Sequence, residues 1–120
     1  MTLTEKILAR AAKIEKVKAG DIIWVDVDQA MMDDILGLII EIAEKMKVMN
    51  LKVWDLSKIT IISDHYTPPA NAQQASIVKF TRDWAKEYGI KHYYEFAGPC
   101  HQVMVEKSRV LPGEVVVGTD

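Results

Sequence analysis

A chain of 120 residues is a natural size for one domain and is expected to bury roughly two-thirds of its unfolded surface. Its 49% apolar and 27% charged residues are globular rather than disordered composition. Fifteen basic against seventeen acidic residues, a net charge of -2, argue against a general electrostatic footprint for nucleic acid or an anionic membrane.

Thr2 and Glu5 spell a capping box at the start of a first helix, whose apolar face would carry Leu3, Ile7, Ala11 and Ile14. Neither a secretory signal nor a membrane-spanning run is present, because the apolar stretch around Leu38 is short and interrupted by charge. Lys18-Ala19-Gly20-Asp21 breaks the helix, and the β-branched and aromatic run at residues 22–27 predicts a strand. Residues 30–49 return to the helical period through Ile35, Leu38, Ile39, Ile42, Met46 and Met49, with Gly37 as a weak point. A second strand is expected over residues 59–62, ending at Ser63-Asp64-His65, and Pro68-Pro69 stops it.

A helix is predicted from Ala72 to Tyr88, with Ile77, Phe80, Trp84 and Tyr88 on one face and Gly89 just past its end. Residues 92–96 read as a third strand, and Ala97-Gly98-Pro99 turns the chain into Cys100-His101-Gln102. Pro112-Gly113 marks a turn before a last strand over residues 114–117. No repeat, linker or low-complexity segment interrupts this order. Strands alternating with helices predict one α/β domain over residues 1–120: three layers, with crossover helices around a mostly parallel sheet.

In such sheets ligands collect beyond the carboxyl ends of the strands. Three polar islands fall near strand ends: Asp64-His65, His101-Gln102 and Gly118-Thr119-Asp120. Asp64 can fix the tautomer of His65 and raise its basicity, both can ligate a metal, or the pair can be a solvated loop. Adjacent strand residues point to opposite faces, so cooperation requires the backbone to turn there. Cys100-His101 lacks the spacing of a metal site, and Cys100 reads as a small buried apolar residue. As the lone cysteine it rules out an internal disulfide and suits a reducing compartment, so a soluble, cytoplasmic domain is expected. His92, beside two tyrosines, is assigned no role. Asp26, Asp28, Asp33 and Asp34 are read first as caps at a helix N-terminus. There is no phosphate-binding loop, dinucleotide fingerprint or serine elbow.

Taken together, collinear motifs along the whole chain resemble a known family. They are residues 1–11, Ala19-Gly20-Asp21-Ile22, Val27-Asp28-Gln29-Ala30-Met31, Lys52-Val53-Trp54-Asp55, and Asp64-His65 with Pro68-Pro69. Cys100-His101-Gln102-Val103, Glu106-Lys107, Leu111-Pro112-Gly113 and Val116-Val117-Gly118-Thr119-Asp120 complete the set. The pattern looks like the N-terminal part of large subunits of 3-isopropylmalate dehydratase, in the aconitase superfamily.

The resemblance implies a hydro-lyase that interconverts 2- and 3-hydroxy acids, of the 3-isopropylmalate or homoaconitate type, through an enoic acid. It implies a [4Fe-4S] cluster in the parent enzyme, acting on the leaving hydroxyl, and a small subunit or C-terminal swivel domain as partner. On that likeness Asp64, His65, His101 and Asp120 are the catalytic candidates, and Asp33 and Asp34 are placed in the substrate-facing segment. The family's cluster cysteines lie downstream of this region, and Cys100 matches none of them, so no cluster and no metal ligand is expected on this chain alone.

Where the family reads Met-x-His-Asp-x-Thr, this chain has Met31-Met32-Asp33-Asp34-Ile35-Leu36. A histidine is replaced by Asp33, whose charge would repel an anionic substrate unless paired. The expectation is an N-terminal segment of such an enzyme, inactive by itself. One alternative is a non-enzymatic interaction subunit that docks onto a partner completing the fold, and oligomer formation stays open. Another is a mononuclear metal site from Asp64, His65, His101 and Asp120.

Overall fold

The computed structural model describes residues 1–120. Helix α1 (Leu3–Ala12) starts with the expected capping box. Glu5 N donates to Thr2 Oγ1 at 3.2 Å, and Thr2 N donates to Glu5 Oε2 at 2.7 Å. Ala9 and Ala11 are buried whereas Leu3 and Ile14 are exposed, so small side chains seat this helix.

The strand expected at residues 22–27 does not form. Ile22 and Trp24 are 100% and 95% exposed, and the segment finds no strand partner. The first strand, β1, is Gln29–Asp33. Strand propensity expresses fit to a pleated, half-buried surface, and here only the later residues meet neighbouring strands. For the same reason the helix expected over residues 30–49 is cut short. Residues 30–33 join the sheet, and helix α2 covers only Leu38–Val48. Between them a 3-10 turn at Ile35–Gly37 carries Leu36 and Gly37 at positive φ (52° and 70°), a break glycine accommodates at little cost.

Strand β2 (Ile59–Ser63) and helix α3 (Ala72–Tyr88) lie where the sequence places them. Gly89 ends α3 in the left-handed region. Strand β3 (His92–Glu95) follows as expected. Helix α4 (Cys100–Glu106) was not expected; its Cys100, Val103 and Met104 form an i, i+3, i+4 apolar face that buries completely. Strand β4 (Val116–Gly118) starts two residues later than the reading of 114–117.

All four strands are parallel, in the order β3-β2-β1-β4. Side chains alternate between two cores, as strand geometry requires. Ile59 and Ile61 of β2 pack with Ile39 of α2 and Ala85 of α3 on one face. Ile62 of β2 and Met31 of β1 pack with Cys100, Val103 and Met104 of α4 on the other. The result is the expected three-layer α/β architecture. At the β1–β4 contact, a Cβ on Gly118 would lie 3.2 Å from the Met31 carbonyl oxygen, so glycine permits the close approach. No helix is long and apolar enough to cross a membrane.

Candidate functional site

Parallel pairing puts the carboxyl ends of β1, β2 and β4 side by side, and each delivers polar residues to one edge. β1 ends in Asp33 and runs into Asp34, β2 runs into Asp64 and His65, and β4 into Thr119 and Asp120. The first turn of α4 adds Cys100 and His101. All three polar islands of the sequence therefore meet in space.

The chain turns as it leaves β2. Thr67 Oγ1 donates back to the Ser63 carbonyl at 2.9 Å, and Asp34 clamps the loop from β1. Asp34 is fully buried; its Oδ1 accepts the His65 amide at 3.0 Å and its Oδ2 the Tyr66 amide at 3.2 Å. Because of that turn, Asp64 and His65 act together although they are adjacent. Asp64 Oδ1 lies 2.8 Å from His65 Nδ1, and Oδ2 accepts the Cys100 amide at 2.6 Å. An ionised carboxylate only accepts, which places the proton on Nδ1 and leaves Nε2 toward the site.

His65 Nε2 lies 3.5 Å from Asp120 Oδ1, and His101 Nε2 lies 3.2 Å from Asp120 Oδ2. Burial works to lower the His65 pKa. The hydrogen bond and charge of Asp64, joined by the charges of Asp33 and Asp34, outweigh it and leave the value raised above 6.5.

Asp33, also buried, accepts the Ile35 amide and the Thr119 hydroxyl through Oδ1, each at 3.1 Å. Its amide donates to Thr119 Oγ1 at 3.0 Å. Asp33 Oδ2 is buried with no hydrogen-bond partner.

The helix-capping reading of the acidic cluster is overturned. Gly37 holds the N-cap position of α2, while Asp26 pairs with Lys13 at 2.7 Å and Asp28 accepts the Val115 amide at 2.8 Å. Asp33 and Asp34 belong to the site instead. Thr119 was named only as part of an island, and its hydroxyl link to Asp33 had no signal in spacing. His92 stands at the amino end of β3, in register with Thr60, away from this edge.

Cys100 is buried, as read from the sequence. Burial, reinforced by the charges of Asp64 and Asp120, pushes its thiol up to about 12, so it is protonated at neutral pH. A [4Fe-4S] cluster is held by three or four thiolates. One buried thiol is not that donor set, and the residues of this chain do not fit the cluster.

No protein-family model matches the chain. It is 43% identical over 121 residues to the probable 3-isopropylmalate dehydratase large subunit of Methanothermobacter thermautotrophicus, covering 100% of this chain and 29% of the relative. It is 44% identical to 3-isopropylmalate dehydratase large subunit 1 of Methanopyrus kandleri, over 99% of this chain and 28% of that protein. With the large subunit of Acetivibrio thermocellus the identity is 39%, over 100% and 29% respectively. The chain thus spans less than a third of the length of these relatives. On this similarity along its whole length, it belongs to the aconitase superfamily and corresponds to part of a 3-isopropylmalate dehydratase large subunit.

Proposed function

We propose that this chain forms one wall of the active site of a hydro-lyase. The reaction is the reversible dehydration of a small 2- or 3-hydroxy acid, of the 3-isopropylmalate or homoaconitate type, with the enoic acid as intermediate. The observation that carries this reading is the Asp64–His65 pair, held at 2.8 Å at the carboxyl edge of the sheet, in a chain whose sequence is similar to those large subunits along its whole length.

His65 is the proton donor to the departing hydroxyl and the acceptor in the reverse direction. Its raised pKa favours the protonated form that a general acid needs. Asp64 orients the ring through Nδ1. Asp120 lies beside His65 and His101 at the same edge, and Asp120 and His101 hold the hydroxyl-bearing end of the substrate. Asp34 is a positioning residue, since both its oxygens are engaged by backbone amides. Asp33 stands in the substrate-facing segment.

The iron–sulfur cluster and its thiolates, together with cationic groups for the substrate carboxylates, belong to other parts of the assembled enzyme. A small subunit or a C-terminal swivel domain is the partner that completes it. The chain by itself is inactive on this reading, because its one cysteine cannot hold the cluster.

A second reading is favoured by Ile22 and Trp24, which are fully exposed on an extended segment without a strand partner. Such apolar exposure suits a subunit that docks onto a partner without doing chemistry.

Anaerobic purification of the tagged chain with whatever associates with it, then reconstitution with iron and sulfide, separates the two. The hydro-lyase reading expects the assembly to interconvert 2- and 3-isopropylmalate or the homoaconitate analogues, and the isolated chain to do nothing. An assembly that is inactive on all of these acids favours docking alone.

A further inference from the structure

The carboxyl edge gathers acids, and the amino edge of the same sheet gathers cations. Helix α4 starts at the carboxyl edge, where the Cys100 amide meets Asp64, and runs back along the sheet. Its end is closed by two backbone bonds. Ser108 N donates to the Val105 carbonyl at 3.0 Å, and Arg109 N to the Met104 carbonyl at 2.8 Å. Ser108 is the left-handed residue of this helix end, with φ at 51°. The turn delivers Arg109 to the amino ends of β1 and β2. There Nε donates to Thr60 Oγ1 at 3.0 Å, while Nη2 donates to the Ser57 carbonyl at 2.6 Å and to Gln29 Oε1 at 3.4 Å.

All three acceptors are neutral. A guanidinium stays charged and carries N–H donors on all three nitrogens. These bonds engage Nε and Nη2 and leave Nη1 free. Arg109 is half-buried, yet none of the ion pairs of the chain includes it, and none includes Lys91. A charge withdrawn from water is ordinarily paired. His92 stands beside it: as the register partner of Thr60, it shares the face and the strand level that Arg109 covers. Burial and the charges of Arg109 and Lys91 all push the His92 pKa below 6.5. The neutral ring offers one N–H donor, and a bound anion would relieve the uncompensated positive field around it.

We propose that Arg109 and His92, with Lys91 at the exposed rim, form a site for one small oxyanion, a phosphate or a carboxylate group, at the amino edge of the sheet. The anion takes the free Nη1 donors of Arg109 and an imidazole N–H of His92, and Lys91 adds charge from the solvent side. Arginine suits such ligands because its planar fork of donors is rigid. Here Thr60, Gln29 and Ser57 hold the fork in place before any ligand arrives. Phosphate and carboxylate share this chemistry, and the experiment separates them. The site lies at the other end of the strands from His65 and uses none of the residues of the proposed reaction.

The chain holds three histidines, His65, His92 and His101, so ring-proton NMR reads the two edges of the sheet separately. The probes are inorganic phosphate and, in a separate titration, succinate, each against chloride at matched ionic strength and fixed pH. At least one of them should shift the His92 signals saturably while those of His65 and His101 stay in place. Which anion responds distinguishes a phosphate site from a carboxylate site. Arg109→Gln should weaken the binding at least about tenfold. Lys91→Glu, at an exposed position, should weaken it at least about fivefold, and decides alone if Arg109→Gln does not fold. Absence of a saturable shift with both anions overturns the proposal. So does a shift shared equally by all three histidines, or one that survives the substitution.

Discussion

Asp34 holds His65 in place without touching the reacting end of its ring: the buried carboxylate takes the His65 amide at 3.0 Å and the next amide, of Tyr66, at 3.2 Å. Removing it leaves two part-buried backbone donors without their acceptor. Asp34→Ala should therefore cost about 2–6 kcal/mol, at about 1–3 kcal/mol per orphaned group. Asp34→Asn retains one carbonyl acceptor and should lose less. Urea denaturation midpoints measure both, and a midpoint for Asp34→Ala equal to that of the unsubstituted chain contradicts the clamp.

The pKa of His65 can be followed by NMR titration of its ring protons. Burial lowers the value, and Asp64 with Asp33 and Asp34 raises it more, so the folded value should lie above 6.5. A group whose folded pKa is raised contributes stability that is fully present below its unfolded value. That stability is lost as pH rises through the folded value. Stability from His65 should thus fade from about 6.5 upward. Asp64→Asn should lower the titration midpoint and flatten this dependence. A midpoint that does not move leaves the pairing without consequence.

Cys100 should be inert. Burial, with the nearby Asp64 and Asp120 charges, pushes its thiol up to about 12, and thiolate is the reactive form. A thiol reagent at pH 8 should label the native chain far more slowly than the urea-unfolded chain. Equal rates would show an open, ionised cysteine and remove one argument against cluster ligation by this chain.

What the sequence made legible follows the range of the forces involved. α3 and β2 could be placed because a long amphipathic period and a compact β-branched run are local signals. The exchange of residues 22–27 for Gln29–Asp33 was not legible, since both runs are apolar and only strand partners choose between them. α4 was readable in principle from Cys100, Val103 and Met104, but its seven residues leave little periodicity to detect. The three polar islands could be tied to strand ends by topology. The roles of Asp33 and Asp34 could not, because an acid cluster before a helix looks the same whether it caps that helix or, as here, sits on the preceding strand. The Thr119 hydroxyl bond to Asp33 Oδ1 spans 86 residues, beyond any local pattern.

The most direct measurement is the turnover of 3-isopropylmalate by the anaerobically purified assembly containing this chain, with His65 intact or as His65→Asn. Loss of a general acid is expected to lower kcat about 10²–10⁴-fold with KM little changed. A His65→Asn assembly that turns over as fast as the unsubstituted one contradicts the account.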